Sequence, residues 1–155
     1  MPFENTGVVE ICPAPGRPAF AFTQIFVSET FEIPEQKPDA EQIILAEHNI
    51  TLEDVQLVKF TDPAGNEWEK VFVAGNIYKL VQYSAAVPEQ TVHFVKFQLP
   101  FQTILVDDCG NPFPLGTIPT DYVVHVCVEK QIVTLLDERH ILVEVLLMVW
   151  LEDAV

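Results

Sequence analysis

Four histidines and three cysteines are the residues of this chain whose types suit metal binding. His125 and Cys127 lie two apart in a β-prone stretch, so both side chains are expected on one face of a strand, as ligand pairs in β structures must be. His93 or His140 could complete the set. The pattern is weak, because cupin-like metal sites use a His-x-His pair with a downstream Glu and His, which this chain lacks. We therefore expect a solvated strand face and no bound metal or other cofactor.

The remaining polar residues form no recognisable catalytic pattern. The stretch 107–111 (DDCGN) has the carboxylates of a calcium loop but not its alternating oxygen ligands or closing glutamate, so it is predicted to be a turn. Neither Ser28 nor Ser84 lies in a nucleophile elbow, and no glycine-rich phosphate loop occurs. The sequence therefore favours a protein that is not an enzyme. The alternative, a metal-dependent β-sandwich enzyme, predicts a stoichiometric metal or a deep polar pocket.

Two β-prone runs between Val71 and Val106 predict a central β-hairpin that turns at residues 84–89. The second run alternates apolar and polar residues, the pattern of a strand with one buried face. In the first run both faces are mostly apolar, so each must be covered, either by the same domain or by another molecule. The apolar residues of the first run are Val71, Val73, Ile77 and Val81 on one face and Phe72, Ala74, Tyr78 and Leu80 on the other.

Two further strands carry aromatic residues suited to contact with another molecule. In the strand predicted over 19–33, Phe20, Phe22 and Phe26 share one face and form an apolar stripe. The alternative is a second core layer inside a sandwich. In the last strand, predicted over 139–151, Trp150 falls on the outer face and is a second candidate for contact.

These elements indicate an all-β fold, an antiparallel β-sandwich that is jelly-roll-like. Helical periodicity of useful length is absent, and turn signals separate the predicted strands. A phase change near Glu53 and Asp54 predicts a bulge. Residues 1–18 are predicted as an extended N-terminal arm, because three prolines follow the apolar residues Val8, Val9 and Ile11. Residues 19–155 form a single predicted sandwich domain.

Charge limits the partners that this surface can have. The formal net charge is −15, and the eight Lys and Arg residues are scattered, so nucleic acid and anionic membranes are poor partners. The apolar run from Ile141 to Leu151 is too short to span a bilayer and is interrupted by Glu144. No secretory signal is recognisable at the N-terminus.

Two stretches resemble the SPOCS domain of spore-envelope proteins from endospore-forming bacteria, which act in coat and cortex morphogenesis. The resemblance spans roughly residues 23–151. Its marks are Ile33-Pro34-Glu35-Gln36-Lys37-Pro38-Asp39, Glu41-Gln42-Ile43, Gly75, Tyr83, Val92-His93 and Pro100-Phe101. It implies a β-rich interaction module without enzymatic activity, made in the mother-cell cytoplasm without a signal peptide and located in the spore envelope. A peptidoglycan-binding LysM segment, present in the morphogenesis proteins, is missing here.

The function expected from these observations is that of a self-assembling structural subunit of a coat layer, exosporium or spore-surface fibre. Its partners would be copies of itself and other envelope proteins, and its arm would add a strand to a neighbour's sheet. Three cysteines without CxxC spacing argue against a closed set of internal disulfides, so Cys12 and Cys109 are candidates for a bond between subunits. Ordinary reduced cysteines are the other reading. The alternative function is a protein-protein adaptor that does not polymerise.

Overall fold

Strands account for all the regular structure in the described part of the chain. The computed structural model describes the backbone of residues 3–9 and 19–153 and the side chains of residues 21–152. The strands are β1 (Phe3–Val9), β2 (Ala19–Glu32), β3 (Ala40–Thr61), β4 (Glu67–Ala85), β5 (Val92–Leu105), β6 (Phe113–Pro114), β7 (Tyr122–Leu135) and β8 (His140–Asp153).

The strands form two antiparallel sheets that face each other. The first sheet has the order β1-β7-β8-β2, and the second has the order β3-β4-β5, with the short β6 also paired to β4. The chain passes from the first sheet to the second between β2 and β3, and it returns between β6 and β7. This arrangement confirms the prediction of an all-β sandwich built from antiparallel sheets.

The core lies between the sheets and follows the alternation of the strands. Every second residue of β8 is fully buried, and so are the matching residues of β4, because a strand turns successive side chains to opposite faces. The predicted hairpin is present as β4 and β5, whose register runs from Val71 opposite Leu105 to Ser84 opposite Val92. At the rim of the core, the rings of Phe31 in β2 and Phe97 in β5 stack with centroids 4.3 Å apart.

The predicted bulge in β3 is confirmed, and it explains a glycine in β4. The register between β3 and β4 shifts between Leu52 and Asp54. Gly75 lies at this place, and a Cβ atom there would overlap the carbonyl oxygen of Thr51 and come within 2.7 Å of the Phe101 ring. A close approach of backbone to backbone therefore requires glycine at this position.

The N-terminal segment, predicted as an extended arm over 1–18, includes a strand. Residues 3–9 form β1, which pairs with β7 of the same chain. The physical reason is that β7 would otherwise be an edge strand with a row of unpaired main-chain groups, to which an extended segment can bond. Ile11 and Cys12 lie outside the described residues, as do the side chains of Val8 and Val9.

Candidate assembly surface

The first surface to consider is the edge of β7 that receives β1. The register places Phe3 opposite Leu135 and Val9 opposite Lys130, with a shift between Asn5 and Val8. Since such a ladder is made by main-chain groups, it does not depend on which molecule supplies the incoming strand. We call residues 130–135 the receiving edge.

The second surface is the outer face of β2. Phe22 and Phe26 each expose 62% of their surface, so these two side chains are not part of a second core layer. Between them, Gln24 donates a hydrogen bond from Nε2 to Glu129 Oε1 at 2.7 Å. The side chain of Phe20 is outside the described set. Phe22 and Phe26 form what we call the phenylalanine stripe.

Trp150, which the sequence predicts as a contact residue, is covered by neighbouring side chains in this structure. It lies on the outer face of β8, yet only 4% of it is exposed. The imidazole of His125 stacks on its indole with centroids 5.2 Å apart, and Phe22 is its cross-strand neighbour on the other side. Side chains from the two neighbouring strands thus bury Trp150, although the alternation of side chains along β8 places it on the outer face.

The outer face of β4 remains only partly covered. Phe72, Ala74 and Leu80 are half-buried and Tyr78 is exposed, whereas the opposite face of the same strand is fully buried. The domain itself therefore covers one of the two apolar faces that the sequence presents.

The histidines and Cys127 do not come together as a metal site. His125 Nε2 lies 2.6 Å from Glu152 Oε2, whereas His93 contacts the hydroxyl of Thr91 at 3.1 Å and His140 contacts Asp137. In the side chains that the structure describes, no group of three or more His, Cys, Asp and Glu is arranged to hold a metal ion. Each of these three histidines instead contacts a nearby polar side chain.

The turn containing Cys109 is held by Asp107. The Asp107 carboxylate accepts hydrogen bonds from the backbone N–H groups of Cys109 at 2.9 Å and Asn111 at 2.8 Å. This geometry is that of an Asx turn, so the turn predicted at residues 107–111 is present. Cys109 is exposed and has a free thiol.

Arg139 organises the connection between the two sheets. Its Nη2 donates to the carbonyl oxygens of Ile33 and Pro34 at 2.7 and 2.8 Å, and its Nη1 donates to the carbonyl oxygen of Lys37 at 2.7 Å and to Asp39 Oδ1 at 3.2 Å. The guanidinium thus closes the loop 33–39, which carries the chain from β2 to β3. A planar fork with several donors suits this task better than an ammonium group does.

Tyr83 holds the same loop from the second sheet. The buried phenol donates a hydrogen bond to the carbonyl oxygen of Pro38 at 2.9 Å. Burial raises the pKa of Tyr83 above its usual value, with smaller opposing effects from the Arg139 charge, which lowers it, and the Asp39 charge, which raises it.

Two turns are fixed by carboxylates whose pKa values are lowered. Asp62 accepts hydrogen bonds from Trp68 Nε1 at 2.8 Å and from the backbone N–H of Asn66 at 2.9 Å, and these bonds lower its pKa. The pKa of Asp137, in the turn between β7 and β8, is lowered chiefly by the backbone N–H of Arg139 and then by the His140 side chain. Both turns therefore prefer an ionised carboxylate.

Sequence reasoning missed the polar residues inside the fold. Lys79 and Glu69 lie on the buried face of β4 with 1% and 2% exposure, and Glu69 accepts a hydrogen bond from the backbone N–H of Ile118 at 2.8 Å. Their positions in the alternation of β4 were a signal that both point inward. The partner of Arg139, about a hundred residues away in sequence, left no such local signal.

The fold defines a class, the antiparallel β-sandwich. Residues 39–112 match the family model described as SipL, SPOCS domain, so this part of the chain is similar to the SPOCS family. The matched residues comprise β3, β4 and β5, the second sheet of the sandwich. No curated protein and no solved structure matches the chain. Across the residues that the structure describes, no helix is long and apolar enough to cross a membrane.

Proposed function

We propose that this chain is a self-assembling structural subunit of the bacterial spore envelope, in a coat layer, the exosporium or a spore-surface fibre. The match of residues 39–112 to the SPOCS domain model supports a role in sporulation. The subunit would be made in the mother-cell cytoplasm and act at the spore surface. Its partners would be its own copies together with other envelope proteins.

The observation that carries the proposal is the main-chain pairing of β1 with the receiving edge. The segment 10–18, nine residues long, joins β1 to β2, which lies at the opposite edge of the same sheet. Nine extended residues reach up to about 30 Å, more than the width of several strands. A strand on such a tether makes the same ladder with its own β7 or with the β7 of a neighbour.

Exchange of β1 between copies would produce polymers. Each subunit gives a strand at one place and receives a strand at another, so the contact is head-to-tail and does not close after two copies. Cys109, whose exposed thiol is free, would add a disulfide between subunits.

Electron microscopy of the purified full chain at neutral pH tests the assembly, with filaments or layers expected. A variant that lacks residues 1–9 should form no filaments or layers, and a synthetic peptide of residues 1–11 should bind to it by filling the receiving edge. The matched control is the same peptide with Val8→Pro, which cannot complete the ladder. Assembly that survives the deletion would refute the role of β1.

Non-reducing electrophoresis tests the disulfide. Oxidised wild-type assemblies should give a ladder that collapses with reductant, and Cys109→Ser should abolish this ladder. An undiminished ladder from Cys109→Ser would exclude Cys109 from the bond between subunits.

A second candidate function is a protein-protein adaptor, and the phenylalanine stripe favours it. Two aromatic side chains at 62% exposure offer a ready contact for another envelope protein. In that case the purified protein stays small and soluble, and deletion of residues 1–9 does not change its size.

A further inference from the structure

The edge strands of the sandwich differ in how well they are protected against pairing with other strands. The register of β3 shifts at three places, and the strand carries four carboxylates. β5 contains Pro100, which has no N–H to donate. Bulges, charges and proline are the usual means of blocking an exposed edge.

The strand β2 has none of these protections in its first part. Residues 21–28 (AFTQIFVS) contain no charged residue, no proline and no glycine. Their register with β8 continues without a shift from Ala21 to Glu32. In the described sheet β2 is an outermost strand that pairs with β8 alone, so its other edge is a regular template for a further strand.

The same rim of the sandwich carries little of the negative charge. β5, which packs beside β2 through the Phe31 and Phe97 rings, contains Lys96 as its one charged residue over 92–105. Two copies that each carry a net charge of −15 repel one another in most relative orientations. Residues 19–28 of β2 and the whole of β5 contain no carboxylate, so this repulsion is small there; the two carboxylates of β2, Glu29 and Glu32, lie at its far end.

The phenylalanine stripe gives this edge a two-fold pattern. In an antiparallel pair, residues directly opposite each other lie on the same face of the sheet. Because the two strands run in opposite directions, the residue numbers of each opposite pair add up to the same sum. If Gln24 lies opposite the partner's Gln24, then Phe22 lies opposite the partner's Phe26. By two-fold symmetry, Phe26 also lies opposite the partner's Phe22. Aromatic cross-strand pairs stabilise such ladders.

We propose that β2 pairs antiparallel with β2 of a second copy, centred on Gln24, and joins the first sheets of two copies into one continuous sheet. The two-fold axis is perpendicular to the sheet, so both outer faces remain on the same side. Thr23 and the partner's Ile25 then meet on the inner face. This dimer deepens the proposed self-assembly, because dimers linked by exchanged arms would form layers, but it does not depend on the arm.

Crosslinking tests the register directly. In a Cys109→Ser background, Gln24→Cys should form a disulfide-linked dimer on mild oxidation, because the two substituted positions face each other across the axis. Ser28→Cys is the matched control on the same face of the same strand. Its two copies would be eight positions apart along the pair, beyond the reach of a disulfide. Equal crosslinking of the two variants, or none with Gln24→Cys, would overturn the register.

Sedimentation of the full chain tests the dimer itself. Phe26→Glu should raise the dimer dissociation constant by about 100-fold or more, because each dimer loses two aromatic pairs. Leu45→Glu, at a similarly exposed apolar position on β3, should change it less than about threefold. The double variant Phe22→Lys/Phe26→Glu should recover much of the affinity, since each new lysine faces the partner's new glutamate.

The outcomes separate this dimer from arm exchange. If the Phe26→Glu chain dimerises as tightly as the wild type, the β2 interface is wrong even where filaments form. A chain that lacks residues 1–9 and still dimerises, with crosslinking through Gln24→Cys, supports the β2 interface and removes β1 from it. A wild-type chain that stays monomeric at millimolar concentration refutes the dimer outright.

Discussion

Replacement of Arg139 should destabilise the domain because one side chain holds the loop between the sheets. Arg139→Ala leaves the carbonyl oxygens of Ile33 and Lys37 without their donor, and both of these hydrogen bonds are partly buried. A polar group that loses its partner inside a protein costs about 1–3 kcal/mol. The guanidinium side chain is 25% exposed, so water can replace part of what is lost. We expect a loss of about 3 kcal/mol in the free energy of unfolding.

The Arg139→Lys variant separates charge from geometry. An ammonium group keeps the charge beside Asp39 but cannot donate at once to both ends of the loop, as the two guanidinium nitrogens do. About half of the stabilisation should therefore be lost. For a domain of this size, each kcal/mol corresponds to about 2–4 °C in Tm. Arg139→Ala should thus lower Tm by about 6–12 °C.

The assay is thermal and urea unfolding followed by circular dichroism, with Lys96→Ala as the control. Lys96 is an exposed cation on β5, and its removal should change the free energy of unfolding by less than about 0.5 kcal/mol. Stability of Arg139→Lys equal to that of the wild type would show that charge alone is sufficient. An Arg139→Ala variant within about 0.5 kcal/mol of the wild type would refute the reasoning.

Three further predictions concern single positions. Gly75→Ala should lower stability by about 2–3 kcal/mol in urea unfolding, because its Cβ atom would meet the carbonyl oxygen of Thr51. Tyr83→Phe should cost about 1 kcal/mol at neutral pH through its lost hydrogen bond. Because the folded pKa of Tyr83 is raised, the wild type should lose stability as pH rises from about 10 through that pKa, and Tyr83→Phe should lack this loss. Because the folded pKa of Asp62 is lowered, its stabilisation should vanish as pH falls through that pKa, seen as a change in Trp68 fluorescence that Asp62→Asn removes.

Matched variants make these outcomes decisive. Ala74→Ser, beside Gly75, should be nearly neutral. Tyr78→Phe removes the hydroxyl of an exposed tyrosine on the same strand and is the matched control for Tyr83→Phe. An alkaline transition that persists in Tyr83→Phe, or an acid fluorescence change that persists in Asp62→Asn, would assign the effect to another group.

Features that depend on local alternation could be predicted from the sequence. The buried faces of β4, β5 and β8 and the bulge near Asp54 follow from a period of two residues and from one break in it. The same period places Phe22 and Phe26 on the outer face of β2, although it does not determine whether that face is covered. Each of these inferences needs only the neighbours within a strand.

Features that depend on distant partners could not be predicted. Trp150 has the period of an exposed residue, but its burial depends on His125 from another strand. In the sequence, nothing distinguishes Arg139 from the other scattered cations, because its partners in the loop 33–39 are distant along the chain. The pairing of β1 depends on the open edge of β7. The residues of β1 alone do not predict which strand it will join.

The division of the molecule into two sheets has a practical consequence for fragments of it. The family match covers the second sheet alone, and the inner side of that sheet is sealed by strands that lie outside the match. A fragment cut at residues 39 and 112 would display the wide apolar surface formed by Val71, Val73, Ile77 and Val81 to water. Such an excised piece should precipitate, so the boundaries of the family match do not mark a segment that can be produced on its own.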